Sequence, residues 1–245
     1  NQYPNGNPRG FETYSAAKHA YNSNPFLNAV NPIKRVGVSA FGNMRLTDRV
    51  DMFSELMFTN RKSKQLATPG AIGVYRPIEI AANHPTNPTG QNLTLERRRV
   101  AEVGPRYFFQ ETNTFRIVAG LKGALGDKWD WSASLNWGRN TGVDGMTNII
   151  NLDRVDATLN AATCGRTPTA APCGNYLGYG NLSPAVLENI HFTTRDHGGN
   201  DQKSFNASIS GELFSMPAGP VGFASGFEYR REKGWRDPDS LIVSG

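Results

Sequence analysis

Residues 123–138 read GALGDKWDWSASLNWG. From Trp129 the odd positions are Trp129, Trp131, Ala133, Leu135 and Trp137, while the even ones are Asp130, Ser132, Ser134 and Asn136. A period of two puts successive side chains on opposite faces of an extended chain, so the segment specifies a strand with one apolar and one polar face. Three tryptophans on one face need something to stand against, either a protein core or lipid. Which of the two it is governs what the whole chain can be.

The same alternation recurs in three strand pairs, each flanking a short polar or glycine-containing turn. In the first, KRVGVSAFG carries Val36, Val38 and Ala40 on one face and the chain turns near NMRLTD. It returns as VDMFSELMF with Val50, Met52, Leu56 and Phe58 aligned, and with Asp51 and Glu55 opposite. In the second, NTFRIVAGLKGAL sets Phe115, Ile117, Ala119 and Leu121 against Thr114, Arg116 and Lys122, then turns at GDK into the tryptophan-rich strand. In the third, KSFNASISGELF opposes Phe205, Ala207, Ile209 and Leu213 to Asn206, Ser208, Ser210 and Glu212. It turns at SMPAGP and returns as VGFASGFEYRRE, with Val221, Phe223, Phe227 and Tyr229 on one face and Glu228 on the other.

The segments between pairs, Thr59 to about Val103 and Thr141 to about Asn200, are rich in Gly, Pro, Asn and Thr and read as long irregular loops. Two such connections are unusual in a compact soluble domain. Short turns at one end and long loops at the other are the pattern of an up-and-down outer-membrane β-barrel. A mean hydropathy of −0.48 and the lack of any run approaching about 18 apolar residues exclude a membrane-spanning helix. They are compatible with a barrel, whose strands hide their hydrophobicity by alternating it.

Strand dimensions fit the same idea. A rise of about 3.3 Å per residue at a tilt of about 40° covers roughly 2.5 Å of depth per residue, so Trp129 and Trp137 stand roughly 20 Å apart. That approaches an apolar band of about 25 Å with an aromatic near each interface, and Phe115, Phe223 and Tyr229 extend those girdles. The expected lipid-facing set is Val36, Val38, Met52, Leu56, Phe115, Ile117, Leu121, Trp129, Trp131, Leu135, Trp137, Ile209, Phe223, Phe227 and Tyr229. The expected lumen-facing set is Asp51, Glu55, Arg116, Lys122, Asp130, Ser132, Ser134, Asn136, Asn206, Ser208, Ser210 and Glu228. The rival arrangement is a sandwich that buries the same apolar faces between two sheets.

A family resemblance accompanies this pattern over most of the chain. NPIKRVGVSAFGNMRLTDRVDMFSELMFTNRKS resembles a hairpin of the TonB-dependent receptors of Gram-negative outer membranes, with Pro32 and Arg35 before the first strand and Asn60, Arg61 and Ser63 at the exit of the second. PIEIAANHPTNPTG resembles the family's Asn-Pro-rich extracellular segment, with Asn83, Pro85, Asn87, Pro88 and Gly90 in place. RRRVAEVGPR followed by ETNTFRIVAGLKGALGDKWDWSASLNWGRN is similar to its most recognisable run. GELFSMPAGPVGFASGFEYRRE is similar to its Leu-Pro-Ala-Gly-Pro turn and Glu-Tyr-Arg exit, here Met216, Pro217, Ala218, Gly219, Pro220, Glu228, Tyr229 and Arg230, with Met216 a small departure.

The resemblance implies a barrel of about 22 strands plugged by a separate domain. About six to eight of those strands are expected in this chain. Its implied partners are outer-membrane lipid, the receptor's own plug domain, TonB, and an extracellular small-molecule ligand of siderophore, cobalamin, oligosaccharide or peptide class. Neither a plug nor a TonB box is visible, and the chain opens with Asn1 and nothing like a secretory signal, so it reads as a fragment of a longer protein.

Other chemistry is thinly represented. The net charge of +5 mixes 26 basic with 21 acidic residues, and its one dense patch, Arg97, Arg98 and Arg99, reads as a solvated loop or strand end. With no aromatic RNA-binding signature beside it, no nucleic-acid partner is expected. Cys164 and Cys173 in CGRTPTAAPC fit a surface disulfide, which an oxidising route permits. A zinc site there would need two further ligands, for which His191 and His197 are the nearest candidates; both read as solvated, and no metal or cofactor is expected. Asp196 beside His197 lacks a scaffold for acid–base work, and GYGNLS lacks the third glycine and the helix of a dinucleotide turn. No enzyme motif occurs. SPAVLENI, with Ser183 as cap and Pro184 at the first helical position, predicts a short loop helix.

The function expected is therefore that of a membrane import receptor. Two rivals are a passive porin-like channel, which would have no plug domain, and a soluble all-β glycan-binding module, which would bury its aromatic face and purify without detergent.

Overall fold

Alternating apolar and polar residues, joined by tight turns, build six long antiparallel strands; the computed structural model describes residues 14–243. After a short helix α1 (Ala16–His19) come β1 (Ile33–Thr47) and β2 (Val50–Ala67). The first long connection holds the short strands β3 (Ala71–Ile72), β4 (Ile78–Ile80), β5 (Leu93–Leu95) and β6 (Arg98–Arg99). Next come β7 (Arg106–Leu125) and β8 (Trp129–Met146). The second connection contains β9 (Ile149–Ile150), helices α2 (Leu152–Leu159) and α3 (Pro184–Ile190), and β10 (His191–Phe192). It leads to β11 (Asp196–Met216), β12 (Gly219–Asp237) and α4 (Ser240–Val243).

The long strands form one meandering sheet in the order β1-β2-β7-β8-β11-β12. Every neighbouring pair is antiparallel, and among the described residues the sheet is open, with β1 and β12 at its edges. The turn at Gly126–Lys128 is where the sequence predicts it, with Gly126 at φ 65° supplying the left-handed step that a residue with a Cβ resists. The other two turns are tighter than NMRLTD and SMPAGP suggest. Only Asp48–Arg49 and Pro217–Ala218 lie outside strands, because the ladders continue through bulges that leave Leu46 and Leu213 as the extra residues. Leu213 therefore leaves the alternation that Phe205, Ala207 and Ile209 follow.

The connections correct a second expectation. They are shorter than read, spanning residues 68–105 and 147–195, because the strands run on to Ala67, Arg106, Met146 and Asp196. They are largely irregular, as read, but not structureless. They fold against each other through Ile72, Ile78, Ile80 and Val100 from the first and Val155, Leu159, Tyr176, Leu182, Val186 and Ile190 from the second. This buried cluster is a hydrophobic core lying outside the main sheet. The predicted helix is present as α3: Ser183 Oγ accepts a hydrogen bond from Val186 N, and Pro184 occupies the first helical position. Among the described residues no helix is long and apolar enough to cross a membrane, which says nothing about crossing by strands.

Candidate functional site

Register decides which side chains share a face. Leu56 pairs with Ile117, Ile117 with Trp137, Ala119 with Leu135, Leu135 with Phe205, Phe205 with Tyr229 and Ala207 with Phe227. Val38 joins through Phe58, Met52 through Leu121, and Trp131 through Ile209. Every residue named above for the apolar set, including Val36, Phe115, Trp129 and Phe223, falls on this one face by these registers. Leu135 is 63% and Phe227 61% exposed, while Phe115, Trp129, Trp131 and Ile209 are half-buried among their neighbours on the sheet.

The tryptophans lie along the sheet rather than standing off it. A Cβ at Gly211 would meet Trp129 Cδ2 at 2.5 Å, and one at Gly123 would meet Trp131 Nε1 at 3.3 Å; each glycine is the direct cross-strand partner of its tryptophan. A large ring thus shields the backbone that a neighbouring glycine leaves bare. Phe115 and Trp137 meet edge to face at 5.4 Å between centroids, with Phe205 and Phe227 at 6.3 Å, while Trp129 and Phe223 lie 6.0 Å apart nearer the turns.

The opposite face is a hydrogen-bonded polar surface. Glu55 bridges Arg116 at 3.7 Å, Arg116 Nε donates to Asn136 Oδ1 at 2.9 Å, and Asn136 Nδ2 donates to Ser204 Oγ at 3.4 Å. The hydroxyls of Ser132 and Ser208 lie 2.9 Å apart, and Arg230 bridges Glu228 at 2.6 Å. Asp51, Lys122, Asp130, Ser134, Asn206 and Ser210 fall on the same face by register. Phe41, Phe53, Met57 and Val118 are apolar exceptions on it. The Phe53 ring covers Gly120, where a Cβ would meet Phe53 Cζ at 2.3 Å. Toward the loop end this face holds a polar hollow of about 300 Å³, bordered by Gln110, Thr112, Asn140, Asp144, Asn200 and Arg236.

The loop module is held together by polar chemistry that the sequence did not reveal. Arg98, read as solvated, is buried: it donates to the carbonyls of Tyr176 at 2.7 Å and Gly178 at 2.9 Å, and pairs with Glu102 at 2.6 Å. Burial by itself pushes the Glu102 carboxyl up, but the hydrogen bond and charge of Arg98, with backbone N–H donors, outweigh it and hold the group below its ordinary value. Arg97 is exposed and Arg99 half-buried, the latter donating to Pro69 O at 2.8 Å. The Tyr176 hydroxyl lies 2.8 Å from Thr158 Oγ1, and burial pushes its phenol up to about 12, so it stays protonated at ordinary pH.

Cys164 and Cys173 form the expected disulfide. The histidine beside it is His84, a residue not singled out from the sequence. Its Nε2 is 3.6 Å from Cys164 Sγ and 3.2 Å from Thr158 O, and its Nδ1 is 2.9 Å from Thr86 Oγ1. His191 instead contacts Leu187 O, and His197 sits in β11 opposite Val143 and Asp237. With both sulfurs bonded to each other, the cysteines offer no thiolates to a metal. Asp196 is engaged by the Arg236 side chain and by Asp239 N at 2.9 Å.

A cleft of about 790 Å³ opens on the module between Tyr14, Tyr21, Arg97, Arg99, Tyr176 and Tyr179. It could hold a small molecule, with aromatic rings for stacking and an exposed cation at Arg97. No protein-family model and no curated protein matches the chain.

Proposed function

We propose that this chain is a section of the barrel of a TonB-dependent receptor in the outer membrane of a Gram-negative bacterium, whose intact form takes up a scarce nutrient by energy-coupled transport. One observation carries the reading. An apolar band with aromatic rings near both of its edges runs in register across six adjacent strands and is covered by no element of the described residues, while the opposite face is polar and hydrogen-bonded. In water such a continuous exposed band would be strongly unfavourable at about 25 cal/mol per Å². A glycan-binding sandwich would need a second sheet over this band, and the three minor sheets among the described residues are pairs of strands only two or three residues long.

In this reading the band, from Val36 to Tyr229, faces lipid, and the Glu55–Arg116–Asn136 surface faces a lumen and its plug. Turns such as Gly126–Lys128 are periplasmic, and the loop module with its cleft faces outward, where a ligand of small-molecule size would first be held. Six strands do not close a barrel of about 22, so further strands, a plug domain and TonB belong to the intact receptor.

The test compares adjacent residues on opposite faces. Leu135→Arg is expected to cost about 2–4 kcal/mol of folding stability in phosphatidylcholine vesicles, and Ser134→Arg markedly less. Equal losses would overturn the lipid-facing assignment. Sequencing the complete reading frame separates a receptor from a passive channel, since a plug-encoding segment is expected only for the receptor.

A further inference from the structure

On the same face as the apolar band, the first two alternate positions beyond its loop-side edge carry Lys34, Lys62, Arg139, Lys203, Arg231 and Lys233 against two acids, Glu111 and Asp201. The acids are already used: Glu111 bridges Lys62 at 2.8 Å and Asp201 bridges Arg139 at 3.7 Å. Lys203 and Arg231 face each other directly across β11 and β12, and neither has an acidic partner among the described residues. Like charges directly opposite on a sheet destabilise it unless an anion lies between them. Lys34 likewise faces Lys62 across β1 and β2.

The turn-side edge is different. There the same face carries Met44, Val50, Leu125, Phe214 and Val221, and the acids of the nearby ion pairs, Arg45–Asp51 at 3.8 Å and Lys128–Glu212 at 3.1 Å, stand on the opposite face. The turn-side margin of the band is apolar at these positions, and the loop-side margin has an excess of cations.

We propose that this basic margin binds phosphate-bearing lipid headgroups of the leaflet on the loop side, with Lys203 and Arg231 gripping one phosphate between them. The proposal rests on the reading of the apolar band as lipid-facing. Its position fits the ligand: Lys203 is the direct cross-strand neighbour of Trp137, so a phosphate held there would leave its acyl chains running down over Leu135 and Phe227. Arginine and lysine pair with phosphate through charge-assisted hydrogen bonds, and basic residues at a membrane surface attract anionic lipid.

Tryptophan quenching by acyl-brominated lipid tests both layers separately. The protein is reconstituted in phosphatidylcholine with phosphatidylglycerol, the bromine being carried by one lipid or the other. Brominated phosphatidylglycerol is expected to quench more strongly, and the preference to weaken with added salt. In Lys203→Gln/Arg231→Gln the preference is expected to fall about five-fold for each cation removed, equivalent to about 1 kcal/mol apiece, while Arg45→Gln, a cation removed from the opposite face at the turn side, leaves it unchanged. Equal quenching by both lipids in the wild type overturns the headgroup site alone. Absence of quenching by either lipid overturns the lipid-facing band and the headgroup site with it.

Discussion

Arg98 and Glu102 show how far a residue's surroundings can depart from its neighbours'. In a run of three arginines, the middle side chain is 6% exposed and its glutamate partner 7%, with three backbone carbonyls completing the guanidinium's bonds. Arg98→Ala is expected to cost about 3–5 kcal/mol of loop-module stability, because it leaves a buried carboxylate without its counter-charge. The near-ultraviolet circular dichroism of Tyr176 on heating would report the loss. The pair also carries a pH dependence. Glu102 is held below its ordinary value of 4.5, so its contribution is fully present above that value and is lost as pH falls through the lowered one. Thermal unfolding of the module across that acidic window is expected to show the decline, and Glu102→Gln to flatten it.

Among the elements, the connections are where sequence reading went furthest astray. Their glycines, prolines and asparagines do mark turns, but the apolar residues among them come in short, separated pieces: Ile72, Ile78 with Ile80, Val155 and Ile190 come from four separate elements. No period of 2 or 3.6 carries from one such element to the next, so their common core is invisible until the two connections meet. The disulfide closes a short stretch of that module, joining residues 9 apart. Cys164→Ser/Cys173→Ser is expected to cost about 2–3 kcal/mol and to speed proteolytic cutting within residues 160–175, with the long strands resistant. Had the stretch been locked by packing alone, cutting would be unchanged. The tryptophan–glycine pairs make a second expectation at this scale. Gly211→Val, which would drive a Cβ against Trp129 and the Lys128 carbonyl at 2.5 Å, is expected to destabilise the β8–β11 ladder by about 1–3 kcal/mol, measured by urea unfolding in detergent.

At the scale of the whole molecule, the buried core of the described residues lies in the connections, and no element among them covers the apolar face of the largest sheet. The bare edges carry a prediction of their own. If further strands of an intact receptor pair with β1 and β12, the outward-pointing amides of both strands will exchange with deuterium as slowly as those of β8. Fast exchange at these edges, beside protection in β8, would show that the sheet stays open.

From the sequence alone, the alternation around Leu135 and its counterparts determined six strands, their pairing into hairpins and the membership of two faces. A period of two is local and survives without knowledge of any partner. The α3 cap and the bonded cysteines were legible for the same reason, each resting on a spacing of a few residues. Only tertiary structure decided that the hairpins join into one sheet with their apolar faces in register. It alone also showed that Arg98 turns inward, that His84 stands beside the disulfide, and that the cations past the band outnumber the acids beside them. Those facts depend on residues far apart in the chain arriving at one place, which side-chain periodicity does not encode.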